Sequence, residues 1–273
     1  MTCFCRLILG RPTTTLLLSA PNSSRLAPIL RHETIFAGEF SIFDFQYQYE
    51  GPQGNDNNDN KKYTNILHLN AAHGYDSMVS TAARELMDRL KIPFRLKEVD
   101  LWKQLTNYDC DYAAAKLRIL QGRGTAEDIM KVEPVLLMAR EINVVDVLVV
   151  STPMWNYSLP YVLKQYIDIV IQPGINFKER RGEPPKAVRP DRPLMLITSA
   201  GGHGSPDRDF LAPYLKLIFS LVGFDKFHHV NMCGLSQATR EEIFAQKTGE
   251  IREMAAQLEK YSKEATDSDA RNF

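Results

Sequence analysis

The sequence predicts an α/β fold in which five parallel strands form an open, doubly wound sheet with helices on both faces. Two observations lead to this fold class. From residue 64 onward, short apolar runs alternate with segments of helical periodicity, which is the order that parallel βαβ units produce. The run over residues 144–150 is apolar at nearly every position, as expected of a central parallel strand that is buried on both faces.

The elements follow one another in regular order. Strands are predicted over residues 64–69, 94–101, 144–150, 193–198 and 227–232, and helices over residues 79–90, 126–142, 161–170, 210–222 and 239–261. In the first helix, Ala82, Ala83, Leu86 and Leu90 recur at helical spacing, which predicts one buried face. The 273 residues suit a single sizeable domain with an extension, and we place that domain at residues 63–263.

Both ends of the chain are predicted to lie outside this domain. Residues 1–32 lack Asp and Glu but contain four arginines among many Ser, Thr and Leu residues. This composition is typical of an organelle transit peptide, and a disordered leader fits it equally. Residues 53–60 are polar and of low complexity, as in a linker. We expect a disordered leader, or a transit peptide, with a linker over residues 1–62, and a disordered tail over residues 264–273.

Composition narrows the classes of function. The 33 Lys and Arg residues balance 33 Asp and Glu residues, and no basic run is interleaved with aromatic residues, so no nucleic-acid partner is indicated. No apolar run approaches the roughly 18–20 residues that cross a bilayer. The four cysteines lack the paired spacing of a zinc site. We expect a soluble protein without a membrane span or metal site, in the cytoplasm or, with a transit peptide, in a mitochondrion or plastid.

Three loops are predicted at the carboxyl ends of strands, where doubly wound folds bind ligands. In the loop over residues 70–80, backbone N–H groups at a helix start and the hydroxyls of Ser77 and Ser80 suit a phosphate, although an ordinary N-cap by Asp76 or Ser77 explains the same residues. In the loop over residues 199–206, Gly201 and Gly202 let the backbone approach a ligand, although a plain turn fits as well.

The remaining loop carries aromatic residues where a strand has just ended. Trp155 and Tyr157 lie between Pro153 and Pro160, which restrict the backbone on either side. With Met154 and Asn156 they suit a flat aromatic ligand that needs a wall and a hydrogen-bonding partner. Alternatively, the two aromatic side chains fold back into the core or into a subunit interface.

Four motifs occur in a fixed order along the chain. They are Pro153-Met154-Trp155-Asn156-Tyr157, then Leu163-Lys164 with Ile167-Asp168, then Gly174-Ile175-x-Phe177, then Ser199-x-Gly201-Gly202. This order resembles the FMN-dependent NADH azoreductases, a family of flavodoxin-like quinone reductases, over residues 64–261. The resemblance implies a flavodoxin-like sheet of order 2-1-3-4-5, FMN as cofactor, NADH or NADPH as electron donor, and a homodimer. It also implies ping-pong, two-electron hydride transfer to a quinone or azo compound.

The resemblance also assigns residues to the cofactor. The predicted contacts are Met154, Trp155, Asn156 and Tyr157 for the isoalloxazine ring, Ser199, Ala200, Gly201 and Gly202 for a second flavin loop, and Ser77, Met78, Val79 and Ser80 for the phosphate. This chain departs from the family at Trp155, where Tyr is more usual, and at Ala71 or Ala72, where the family has a Ser. His203 is a weak candidate for donating a proton, because a lone loop histidine is more often a solvated turn residue.

Two other functions are compatible with these residues. One is an NAD(P)H-dependent FMN reductase that supplies reduced flavin to a partner. The other is a non-enzymatic flavodoxin-like module, which the balanced charge disfavours because such carriers dock through acidic surfaces. The charged segment 178–192 is predicted either to cover the flavin and hold NAD(P)H phosphates or to be solvated. The segment 101–125 is predicted either to wall the substrate pocket or to contact another subunit.

Overall fold

The computed structural model describes residues 49–50, 63–74, 76–105, 108–202 and 205–270. Five strands run parallel in one sheet: β1 (Thr64–Asn70), β2 (Phe94–Asp100), β3 (Val147–Pro153), β4 (Pro193–Ala200) and β5 (Lys226–Cys233). Their order in the sheet is β2-β1-β3-β4-β5. The predicted fold class and strand order are therefore confirmed.

In the described part of the chain, six α-helices connect and cover the strands. They are α1 (Met78–Asp88), α2 (Cys110–Leu120), α3 (Ala126–Val144), α4 (Tyr161–Val170), α5 (Ala212–Leu221) and α6 (Arg240–Ala270). Because successive side chains of a strand point to opposite faces, β3 contributes Leu148 and Val150 to one core and Val147 and Val149 to the other. Helices α2 to α5 cover the first core, and α1 and α6 cover the second.

Helix α2 was not predicted from the sequence. Its buried residues are only Tyr112 and Ala115, and its Leu117 and Leu120 are exposed, so few of its apolar residues mark a face that packs on the core. The helix begins where Asp109 accepts a hydrogen bond from the Tyr112 N–H at 2.8 Å, a side-chain N-cap. The N-cap residue Asp109 is therefore the feature of the sequence that indicates where this helix begins.

Two elements extend beyond the predicted domain bounds. A two-residue strand, Tyr49–Glu50, pairs antiparallel with β2 inside the segment predicted as leader and linker. Helix α6 ends at Ala270 rather than near Tyr261 and so enters the predicted tail, where Lys263, Glu264 and Ala265 favour helix. The rest of the predicted leader, including any transit peptide, lies outside the described residues.

No helix in the described part of the chain is both long enough and apolar enough to cross a membrane.

Candidate functional site

The three predicted loops leave adjacent strands at the carboxyl edge of the sheet. In the register of the central strands, Asn70 pairs with Ser151 and Pro153 pairs with Ser199. Hydrogen bonds continue past the strand ends, from Ala71 N to Ser151 O at 2.9 Å and from Met154 N to Ser199 O at 2.7 Å. The loop after β1 (residues 71–77), the loop after β3 (residues 154–160) and the loop after β4 (residues 201–205) therefore start from one surface.

The loop after β1 ends in a capped helix start. The Ser77 Oγ accepts from the Ser80 N–H at 3.1 Å and forms the N-cap of α1. Among the described residues, the backbone N–H groups of Met78 and Val79 have no acceptor. Free N–H groups at the positive end of a helix dipole are the usual anchor of a phosphate.

The side chains in this first turn are less available than predicted. Those of Met78 and Val79 are buried in the core beneath α1, so only their backbone can contact a ligand. The Ser80 side chain is also buried, and its hydroxyl donates inward to Asn70 Oδ1 at 3.1 Å. A hydroxyl contact from Ser80 to a phosphate is therefore not supported. Ser77 is partly exposed and is the hydroxyl of this pair that faces the loop surface.

The loop after β3 is a tight hairpin with an unusual backbone. Trp155 and Ser158 exchange two backbone hydrogen bonds of 2.9 Å, and the two residues between them, Asn156 and Tyr157, have φ angles of 49° and 65°. Left-handed φ is tolerated by Asn but costs a residue such as Tyr about 1–2 kcal/mol. Trp155 is 40% exposed and Tyr157 is 51% exposed. Strain combined with exposed aromatic rings is typical of a ligand-binding loop.

Trp102 joins this hairpin to the loop after β1. Its Nε1 donates to Ala71 O at 3.1 Å, and its ring lies 5.6 Å from that of Trp155, 5.5 Å from that of Tyr161 and 5.7 Å from that of His73. The segment 101–125 thus places one aromatic residue at the site. The sequence predicted only that the segment as a whole walls a pocket or contacts another subunit, and the position of Trp102 directly after a strand was the available signal for its role.

The loop after β4 contains two glycines whose N–H groups have no acceptor among the described residues and whose Cα atoms border open space. The carbonyls of Gly201 and Gly202 accept from Ser236 N and Gly234 N, each at 2.9 Å. Their own N–H groups have no acceptor in the described part of the chain, and a Cβ at either glycine would meet no atom within 4 Å. Of the other predicted contacts here, the Ser199 side chain is buried and Ala200 is partly exposed. His203 lies outside the described residues.

Buried polar groups lie under two of these loops. Below the loop after β4, Thr198 Oγ1 bonds His229 Nε2 at 2.8 Å, and burial lowers the pKa of His229. Below the loop after β1, His68 Nδ1 lies 3.5 Å from Glu98 Oε2. The hydrogen bond with His68 lowers the pKa of Glu98 from its ordinary value to about 2. The ionised form of the Glu98 carboxyl is therefore favoured.

We expect Glu98 to contribute to stability against acid. A folded-state pKa near 2 against 4.5 in the unfolded chain means that the contribution is complete above about pH 4.5 and is lost as pH falls toward 2. Because the side chain is 36% exposed, solvent screening reduces the gain to about 1–2 kcal/mol. Glu98→Gln should lower the free energy of unfolding at pH 6 and flatten its decline below pH 4.5 in urea titrations. An unchanged acid slope, equal to that of the surface control Glu133→Gln, would contradict this.

The charged segment 178–192 is bound to the amino edge of the sheet, opposite the edge where the three loops lie. Its start and middle form a short antiparallel ribbon, Phe177–Lys178 with Lys186–Ala187. Arg189 donates to Val145 O at 2.9 Å and also pairs with Asp146, just before β3 begins, and Arg192 is buried close by. Because Arg189 and Arg192 are bound to backbone carbonyls far from the carboxyl edge, neither is available to an NAD(P)H phosphate. Arg180 and Arg181 remain exposed in the ribbon's turn.

Among the described residues, no group of three or more His, Cys, Asp or Glu side chains could hold a metal ion. The site combines N–H groups that have no acceptor among the described residues with exposed aromatic rings and the partly exposed hydroxyl of Ser77. N–H groups at a helix start suit a phosphate, and open space between aromatic residues and glycine N–H groups suits a planar ring with polar edges. These residues fit FMN.

A protein-family model described as "Flavodoxin-like fold" matches residues 64–255. The FMN-dependent NADH:quinone oxidoreductase 1 of Bradyrhizobium diazoefficiens is 28% identical over 182 residues, covering 60% of this chain and 84% of that protein. An FMN-dependent NADH:quinone oxidoreductase of Desulfotalea psychrophila is 28% identical over 172 residues, covering 60% and 81%.

Solved structures agree on the fold. A crystal structure of an FMN-dependent NADH-azoreductase from Bacillus anthracis in complex with FMN superposes with a TM-score of 0.65 at 18% identity, covering 71% of this chain and 99% of that one. A second azoreductase structure from Bacillus anthracis has a TM-score of 0.56 at 22% identity, covering 75% and 99%. At this level of identity, the likeness concerns the arrangement of strands and helices.

Proposed function

Because this chain belongs to the flavodoxin-like fold family, we propose that it is an FMN-dependent oxidoreductase that passes two electrons from NADH or NADPH to a quinone or azo compound. The observation that carries the proposal is the convergence of three specialised loops at one edge of the sheet, with the strained Asn156–Tyr157 turn at their centre. The names of the similar proteins from Bradyrhizobium diazoefficiens and Desulfotalea psychrophila, both FMN-dependent NADH:quinone oxidoreductases, support it.

The proposed contacts divide by chemistry. Ser77 and the N–H groups of Met78 and Val79 hold the phosphate, whereas the loop segments Met154 to Tyr157 and Ser199 to Gly202 hold the ring. FMN, when bound, supplies the two-electron redox chemistry. The N–H groups of Gly201 and Gly202 donate hydrogen bonds to polar atoms of the ring edge and favour negative charge there.

The aromatic side chains shield one side of this space and leave another open. Trp102 packs on Trp155, so that water is kept from the side where both rings lie. Donor and acceptor would then use one open surface in turn, which is why we propose ping-pong kinetics. Initial rates at several fixed quinone concentrations should give parallel double-reciprocal lines.

We further propose that the protein is a homodimer. Large apolar side chains stand exposed on helices that cover one face of the sheet, among them Leu120 at 64% and Leu217 at 71%. Burial of such side chains is a common reason for association. Light scattering of the full chain should give twice the monomer mass.

The test of function uses the full chain. Added FMN is expected to bind and give a yellow protein, NADH or NADPH should bleach it without oxygen, and benzoquinone should restore the colour. Turnover with bound FMN alone would separate this activity from that of an FMN reductase, which requires free flavin. A chain that retains no FMN, or is not bleached by either nicotinamide, would refute the proposal.

A further inference from the structure

Asn70, the last residue of β1, lies directly beneath the loop after that strand. Its side chain is buried, and its Oδ1 accepts from the Ala72 N–H and from the Ser80 hydroxyl, each at 3.1 Å. The Ser80 Oγ in turn accepts from the Ser77 hydroxyl at 2.6 Å. One amide oxygen therefore ties the start of the loop to the first turn of α1.

The orientation of this amide is fixed from its other side. Asn70 Nδ2 donates to Glu98 Oε1 at 3.2 Å, and an ionised carboxylate can only accept. A flipped amide would place Oδ1 against that carboxylate and turn Nδ2 toward the loop, losing the bonds to Ala72 and Ser80. Glu98, held by His68, thus keeps the acceptor of Asn70 facing the loop.

The hydrogen bonds of Asn70 matter for phosphate binding because few side-chain hydroxyl groups of this loop can contact a ligand. Positions 71, 72 and 79 are Ala, Ala and Val, so among the described residues of this loop the N–H groups of Met78 and Val79 and the hydroxyl of Ser77 are left to contact a phosphate. Ser77 already has its oxygen fixed by the Ser80 N–H. Its hydrogen is free to turn from Ser80 Oγ to a ligand while Asn70 continues to hold Ser80.

We propose that Asn70 is a positioning residue for the phosphate of the cofactor, acting through Ser80 and the Ala72 N–H without touching the ligand. The inference rests on the proposed function and adds to it which residue sets the geometry of the phosphate contacts. A side chain with this role affects ligands that carry a phosphate and leaves the ring contacts unaltered.

The test compares FMN with riboflavin, which has the same ring but no phosphate. Dissociation constants of the full-length wild type and Asn70→Ala are measured for both by quenching of flavin fluorescence. We expect Asn70→Ala to weaken FMN binding about tenfold, because a buried hydrogen-bonding hub is lost, and to leave riboflavin binding within about twofold of wild type. Ser80→Ala, a mild change inside a helix, should act in the same direction with a smaller effect and serves where Asn70→Ala does not fold.

Asn176→Ala is the matched control. Asn176 is also a fully buried asparagine, accepting from Gln172 N at 2.9 Å and donating to Ala139 O at 2.6 Å, but it lies at the amino edge of the sheet. Asn176→Ala should lower the free energy of unfolding without altering the ratio of FMN affinity to riboflavin affinity. The inference would be overturned if the Asn70 and Ser80 variants bound both flavins equally more weakly, or bound both as tightly as wild type does. FMN binding by the wild type would still uphold the proposed function. A wild type that binds no FMN would remove both.

Discussion

Replacing Arg192 by alanine is expected to lower the free energy of unfolding by about 3–5 kcal/mol. Arg192 is only 4% exposed, and its guanidinium donates to the carbonyls of Ile142, Val145 and Val222 at 2.6, 2.9 and 2.5 Å. It also lies 3.9 Å above the Phe224 ring. Alanine would remove the donor to the carbonyls of Ile142 and Val222, while Val145 O keeps Arg189 as a donor, and would open a cavity, which together place the loss among the largest that single substitutions cause. Urea denaturation of the two proteins at pH 7 measures it.

Two further variants test whether the planar guanidinium of Arg192 is responsible for this contribution to the free energy of unfolding. Arg192→Lys should recover less than half of the loss, since an ammonium cannot reach several separated carbonyls in one plane. Arg181→Ala, in the exposed turn of the same segment, should change the free energy of unfolding by less than about 0.5 kcal/mol. A loss for Arg192→Ala as small as that for Arg181→Ala would mean that water replaces the guanidinium without penalty.

Replacing Trp155 by aspartate is expected to weaken FMN binding about a hundredfold, or about 2.7 kcal/mol. The ring is 40% exposed, lies 5.6 Å from that of Trp102 and belongs to the hairpin that we assign to the flavin ring. Aspartate removes the stacking surface and brings a charge into a place where a planar ligand excludes water. Asn156→Ala should act in the same direction through loss of a hydrogen-bonding side chain at a left-handed position.

The readout is the dissociation constant for FMN, measured beside the thermal unfolding temperature of the apoprotein. Leu137→Asp introduces the same charge at a side chain of similar exposure, 41%, on α3, and should leave FMN binding unaltered. If Trp155→Asp and Leu137→Asp retained FMN equally well, the hairpin after β3 would face something other than the flavin.

The five strands were predictable because each reads as a short apolar run, and every covering helix except α2 was predicted, whereas the strand order was implied only by the resemblance to the azoreductase family. Trp155 and Tyr157 were predictable as exposed residues, since the two prolines around them leave no room for a regular element. The burial of Ser80 was not predictable, because whether a helix-start hydroxyl turns inward depends on Asn70, ten positions earlier along the chain. Likewise, the role of Arg192 depends on carbonyls contributed by α3 and by the residue that follows α5.

The contact between Trp102 and Trp155 has a practical consequence for altering the enzyme. Trp102 comes from the segment that follows β2, while Trp155 comes from the hairpin after β3. The surface that a reducible compound would meet is thus assembled from two stretches of chain, of which only one is assigned to the cofactor. Exchanging residues 103–125 with those of a relative, while Trp102 keeps its bond to Ala71 O and its contact with Trp155, is therefore a route to a different range of acceptors.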